Sequence, residues 1–219
     1  MIYLLSDLHG GKDADTFWEY VECAGEDDLL LLLGDLELAF DGTEENRRFT
    51  EKFLSIRKNV AFIDGNHENH PYLRSFPEDV AYGAPVYRLS PSIVYLRRGN
   101  VYTIEGKTFF VMGGCKSSQK WYDCGLAYEY EVPSEEELAL SRQNLQKHQN
   151  RVDYILTHKY PKTKDKTVRH DPLDAFLFEL EQSVSFSHWY YGHWHCHKEV
   201  DERHTIVYQT LVALPSDKI

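Results

Sequence analysis

The sequence predicts an α/β protein. Short apolar runs without alternation recur at Ile2–Leu5, at Leu29–Leu33 and at residues 60–63. Segments with apolar residues at helical spacing lie between them. Each run passes at once into polar residues that can hold a metal.

An unalternating apolar run reads as a strand covered on both faces. Ile2–Leu5 is the first such strand. Residues 14–24 follow as a helix, with Phe17, Val21 and Ala24 on one face. Leu29–Leu33 is the second strand, and residues 44–58 the second helix, carrying Phe49, Phe53 and Ile56. Residues 60–63 form the third strand. The middle changes character. Residues 86–89, 92–96, 100–104 and 108–112 are short candidate strands, with a hairpin turn at Glu105-Gly106-Lys107. This part reads as antiparallel. Ser134 and Glu137 have capping-box spacing, which opens a helix reaching about residue 150. A buried strand at 154–156 and a helix at 172–180, with Asp171 as N-cap, come next. Strands at 186–191, 197–200 and 205–211 close the chain. The basic stretch 162–170 reads as the most mobile loop. No repeat or linker interrupts residues 1–219, so they read as one domain.

The chain has 219 residues, net charge −11, 42% hydrophobic and 27% charged residues. That length supplies a core without help from disulfides or metals. The composition excludes collagen-like, low-complexity and disordered classes. The acidic balance disfavours a nonspecific polyanion-binding surface. It leaves open a site that grips one phosphate through bound cations. Cys23, Cys115, Cys124 and Cys196 show no compact zinc spacing. The apolar start is too short for a signal peptide, and Leu29–Leu33 is far short of a membrane span. The expectation is a soluble cytoplasmic protein with reduced thiols.

Active sites of parallel sheets lie beyond the carboxyl ends of strands. The polar groups here are Asp7-Leu8-His9, Gly34-Asp35, Asp64-Gly65-Asn66-His67-Glu68, Thr157-His158 and Gly192-His193-Trp194-His195. Singly, each has an ordinary reading as a cap, a turn or a buried histidine. His193 and His195 alternate, so an extended segment would put them on one side. Together the groups are a ligand set. Carboxylates, imidazoles and an amide oxygen suit Mn²⁺, Zn²⁺, Fe or Mg²⁺. There are too many for one tetrahedral ion, and two ions sharing a carboxylate account for them.

These motifs resemble the calcineurin-like metallophosphoesterase superfamily, in order and across residues 7–195. The resemblance implies a four-layer α/β/β/α sandwich with two mixed sheets. It implies that Asp7, His9 and His195 hold one divalent ion, that Asn66, His158 and His193 hold the other, and that Asp35 bridges them. His67 would be the non-ligand histidine beside the leaving group. Glu68 would support the ligands, and Asp64 would either support them or be a turn residue. Such a site hydrolyses a phosphate ester by direct attack of a metal-activated hydroxide. Manganese is the metal favoured for assay. Protein phosphatases of this kind carry GDxxDRG, whereas this chain has Gly34-Asp35-Leu36-Glu37-Leu38-Ala39-Phe40. The departure argues against that branch and leaves a small bacterial or phage-type member.

A small phosphodiester or phosphomonoester is the expected substrate. The alternatives are a nuclease for short or single-stranded ends and a non-catalytic metal-binding scaffold or regulatory protein. Nucleic acid is disfavoured by the charge, and no membrane partner is expected. Arg47-Arg48 lead either to the cleft or to a solvated helix face. Trp121, Tyr122, Tyr128 and Tyr130 are either walls for an aryl group or base or core and surface packing. Lys162, Lys164, Lys166 and Arg169 form either a basic lid or a solvated loop. Trp189, Tyr190, Tyr191 and Trp194 are expected to pack the last strand. Cys115 follows two glycines, but no partner base marks it as a nucleophile. Gly106-Lys107-Thr108 lacks the leading glycine of a P-loop.

Overall fold

The computed structural model describes residues 1–125, 129–160 and 172–215. The basic stretch 162–170, the Asp171 cap and Tyr128 lie outside them. β1 (Ile2–Leu5), β2 (Leu29–Leu33) and β3 (Asn59–Ile63) run parallel and adjacent. α1 (Asp15–Cys23) and α2 (Glu44–Leu54) cross between them. Thr43 caps α2 by accepting the Asn46 N–H. The helix ends short of residue 58. The Ser55 N–H closes the last turn on the Glu51 and Lys52 carbonyls, and the chain turns into β3.

The middle is not one antiparallel unit. After α3 (His70–Leu73), β4 (Glu78–Ala81) and β5 (Ala84–Ser90) form a hairpin. β6 (Ile93–Leu96) then pairs antiparallel with β5 but parallel with β3. β4 has no apolar signal because it is an edge strand with Glu78, Asp79 and Val80 exposed. β7 (Val101–Ile104) and β8 (Lys107–Met112) open a second sheet as a hairpin. Glu105 and Gly106 turn it with φ of 47° and 79°, the left-handed pair that matches strand twist.

α4 (Gln119–Asp123) precedes α5 (Glu135–Lys147), which opens on the expected capping box. β9 (Tyr154–Thr157), α6 (Pro172–Ser183) and β10 (His188–Tyr191) follow. β11 (Lys198–Asp201) and β12 (His204–Ile206) complete the second sheet. The strand expected over 205–211 is divided. β12 stays in the second sheet, and β13 (Val212–Ala213) crosses to pair with β1.

The strand orders are β13-β1-β2-β3-β6-β5-β4 and β11-β12-β10-β9-β8-β7. Leu4, Leu31, Ile63, Val111 and Leu156 fill the space between the sheets. Leu30, Leu32 and Phe62 face outward onto Phe17, Phe49 and Phe53 of α1 and α2. Phe110, Ile155 and Trp189 face outward onto Leu138, Phe176 and Leu177 of α5 and α6. The result is an α/β/β/α sandwich of two mixed sheets. Both faces of β2 are buried, which explains five consecutive leucines. No helix among the described residues is long and apolar enough to cross a membrane.

Candidate metal centre

The chain keeps pairing past the ends of β1 and β2. The Asp7 N–H bonds Gly34 O at 3.0 Å, and the His9 N–H bonds Asp35 O at 3.0 Å. Asp7, His9, Asp35, Glu37, His193 and His195 all have left-handed backbone, with φ from 45° to 70°. Each such non-glycine residue costs on the order of 1 kcal/mol. His193 and His195 therefore do not share a side by strand alternation as expected. They follow β10 in a bend, and the turns themselves aim the rings. Gly65 lets the third motif close on the second, because a Cβ there would collide with Asp35 Oδ1.

Three groups of ligand atoms result among the described residues, each lying within 4.8 Å of one another, and two of them share Asp35. One is Asp7, His9, Asp35 and His195. The other is Asp35, His158 and His193. Asp35 belongs to both. In the first, His9 Nε2 and His195 Nε2 are 3.0 Å apart, and His195 Nε2 is 3.5 Å from Asp7 Oδ1. In the second, His158 Nδ1 donates to Leu33 O at 2.7 Å. That leaves His158 Nε2 inward, 3.3 Å from Asp35 Oδ1 and without a hydrogen-bond partner among the described residues. Asn66 Nδ2 donates to Ser117 Oγ at 3.1 Å, which leaves its buried Oδ1 similarly unpartnered. Buried polar atoms are rarely left so. An inward imidazole lone pair, an orphaned amide oxygen and a shared carboxylate are the donor set of a hard or borderline cation. The residues fit the implied ions.

The electrostatics agree. Burial alone would raise the Asp35 carboxyl, but the His158 charge, helped by His67 and His9, holds it well below the usual range. Burial alone would lower His158, yet Asp35 carries it upward. A proton on His158 thus does the work of a cation beside Asp35. His193 goes the other way, pushed down to about 4 by burial and then by the His158 charge. A neutral imidazole is the form that ligates.

His67 lies outside the two groups that share Asp35 and forms the third with His9 and Glu37. Its Nδ1 lies 2.9 Å from Glu37 Oε1, and that same oxygen lies 3.1 Å from His9 Nδ1. Burial would raise the Glu37 carboxyl, but the hydrogen bonds from His67 and His9 bring it down to about 2. A carboxylate only accepts, so both rings carry their proton on Nδ1 and turn Nε2 into the site. Sequence reasoning missed Glu37. Its one signal was its place two residues after Asp35, read only as a departure from a phosphatase motif. Phe40 stacks on His67 with centroids 5.5 Å apart, and Trp121 meets it edge-on at 4.5 Å.

Glu68 supports the loop. Its Oε1 accepts the Leu36 N–H at 2.9 Å, and burial raises its carboxyl well above the usual range. Asp64 is no turn residue. It is fully buried against Arg98 and accepts from Tyr95 Oη at 2.9 Å. Cys115 Sγ lies 3.7 Å from His193 Nε2, so one cysteine does border the constellation. Arg47 and Arg48 are exposed, with Arg48 paired to Glu44 one turn earlier. They take the solvated-face reading. Trp189, Tyr190 and Tyr191 are buried as expected, but Trp194 is 41% exposed beside His193. It lies past the end of β10, where no sheet covers it. Tyr122 and Tyr130 are also exposed. Lys162, Lys164, Lys166 and Arg169 lie outside the described residues.

Among curated proteins, no sequence matches this chain. One solved structure superposes with a TM-score of 0.51 at 14% identity, covering 94% of this chain and 88% of its own. At that identity the likeness speaks for the fold alone. A protein of unknown function from Aquifex aeolicus is more loosely similar, with a TM-score of 0.38 at 14% identity over 85% of this chain and 87% of its own. That second likeness supports no argument. The model of the calcineurin-like phosphoesterase family matches residues 1–197, which include every ligand-bearing motif. The chain belongs to the calcineurin-like phosphoesterase family.

Proposed function

We propose that this chain is a metal-dependent phosphoesterase acting on small phosphodiesters or phosphomonoesters. The observation that carries the reading is Asp35, common to two groups of converging ligand atoms. In this reading Asp7, His9 and His195 hold one divalent ion, and Asn66, His158 and His193 hold the other, with Asp35 between them. Bound there, two such ions supply an activated water and neutralise the phosphoryl oxygens.

The chain's own residues do the rest. Glu37 keeps the Nδ1 protons of His9 and His67 in place. His67 then gives its Nε2 proton to the departing oxygen and returns to the neutral Nδ1–H form. Phe40 stacked on that ring and Trp121 at its edge restrict its orientation. This reading assigns the attack to the activated water and none of it to Cys115. The acidic body, at net charge −11, favours a small substrate over a nucleic acid. In the same reading residues 1–219 are one domain of a small bacterial or phage-type enzyme working in the cytoplasm.

The test is direct. Metal content is measured on the purified protein. Turnover of p-nitrophenyl phosphate, bis-p-nitrophenyl phosphate and a short oligonucleotide is then measured with added Mn²⁺. Turnover of either small ester bears the reading out. Cleavage of the oligonucleotide alone makes the chain a nuclease. Bound metal with no turnover on any of the three makes it a metal-binding scaffold.

A further inference from the structure

The carboxyl end of β6 carries Arg97 and Arg98, one strand along the sheet from β3 and the third motif. Beside them opens a cavity of about 500 Å³. β5, β6 and β7 form one side of it, and α5 forms the other. Its lining shares no residue with the ligand groups among the described residues.

The cavity reverses the charge of the molecule around it. The chain carries −11 overall, yet Arg74, Arg97, Arg98 and Lys147 line this space around a single lining carboxylate, Glu137. The four cations are not equivalent. Arg98 is buried and consumed by Asp64 and Glu137, so it forms the floor. Arg74 bonds Glu137 Oε1 at 2.9 Å. Among the described carboxylates Arg97 pairs with the exposed Glu78 alone, at 3.2 Å, and an exposed pair of this kind is worth about 0–1 kcal/mol. Lys147 Nζ bonds a neutral acceptor, Asn144 Oδ1, at 3.0 Å. Two cations thus border a cavity without a buried counter-charge among the described residues. Tyr87, under the Arg97 guanidinium at 5.1 Å, and Leu140, 39% exposed, add apolar surface to the same walls.

A cavity of this size takes a small molecule. An arginine fork and a lysine point charge lining one cavity match a phosphoryl group. We propose that this cavity is a second ligand site, separate from the metal centre, which takes a phosphate monoester. Arg97 and Lys147 hold its phosphoryl group, and Tyr87 and Leu140 meet its organic part. The site does not depend on the metal chemistry proposed above.

Calorimetric titration tests it with AMP, inorganic phosphate and citrate as probes. The full chain is used after EDTA treatment, and again as the Asp35→Asn variant, so that the metal centre contributes no binding. AMP should bind both forms alike, more tightly than inorganic phosphate or citrate. Arg97→Gln and Lys147→Gln, each checked for native circular dichroism, should raise the Kd for AMP about tenfold, the loss of one charged hydrogen bond. The proposal is overturned if AMP does not bind, if neither variant weakens it, or if citrate binds as tightly. Binding of a single-stranded oligonucleotide in place of AMP would also overturn it.

Discussion

Glu37 Oε1 lies 2.9 Å from His67 Nδ1 and 3.1 Å from His9 Nδ1. One carboxylate oxygen therefore orients both a proposed metal ligand and the proposed proton donor. Removing it should disturb both. Glu37→Ala should cost about 10- to 100-fold in metal affinity or kcat. Glu37→Gln keeps an acceptor oxygen and should recover part of the loss. Metal analysis and steady-state kinetics check this, and unchanged values for Glu37→Ala would leave the residue a structural role only.

His67 and Asp35 should separate cleanly. His67→Ala should lower kcat about 100-fold or more while metal content stays near that of the parent. Asp35→Asn should lose metal and turnover together, because Asp35 belongs to two ligand groups. Full turnover in His67→Ala, or full two-metal occupancy in Asp35→Asn, would end the respective assignment.

The residues of the proposed centre stood out in the sequence because their chemistry is local. Asp7, His9, Asp35, Asn66, His158, His193 and His195 each stand at the end of an apolar run, and a strand end is where a parallel sheet presents its side chains. How they converge was not legible. The His193-x-His195 spacing imitates strand alternation, while the backbone reaches the same end through φ of 70° and 47°. Glu37 escaped because its partner His67 is 30 residues away, and only the packed loops join them. The pairing of Asp64 with Arg98 escaped for the same reason, since Arg98 is 34 residues on. β4 carries no apolar pattern because it lies at an edge and is exposed.

The Asp64–Arg98 pair should matter to stability rather than to chemistry. Both side chains are essentially buried, and Asp64 also accepts from Tyr95. Arg98→Met would strand the carboxylate in the core and should destabilise the fold by about 3–5 kcal/mol. Arg98→Met combined with Asp64→Asn should cost less, because no charge is left unpaired. Denaturant unfolding of the two variants compares them. Equal losses would mean that packing, not charge, sets the cost.

His204 should give the fold a pH dependence away from the metal centre. Its Nδ1 lies 2.7 Å from Asp201 Oδ1 and its Nε2 3.1 Å from Glu181 Oε2. Two carboxylates demand two N–H donors, hence the imidazolium. Burial opposes this, but the hydrogen bonds to Glu181 and Asp201 win and raise the pKa above 6.5. A raised folded-state value means the stabilisation is complete below the unfolded pKa of 6.5 and is lost as pH climbs through the folded one. The Tm gap between the parent and His204→Gln should therefore be largest in acid and narrow as pH rises. A gap independent of pH would show that His204 stays neutral.

The left-handed backbone at Asp7, His9, Asp35, Glu37, His193 and His195 sets a direction for drift. Glycine would relax every one of these positions, and any other side chain is held there against the local preference of the backbone. Selection for folding alone would therefore erode this centre from within. Variants carrying glycine at these six positions should be freed of that backbone strain and melt at a higher temperature than the parent.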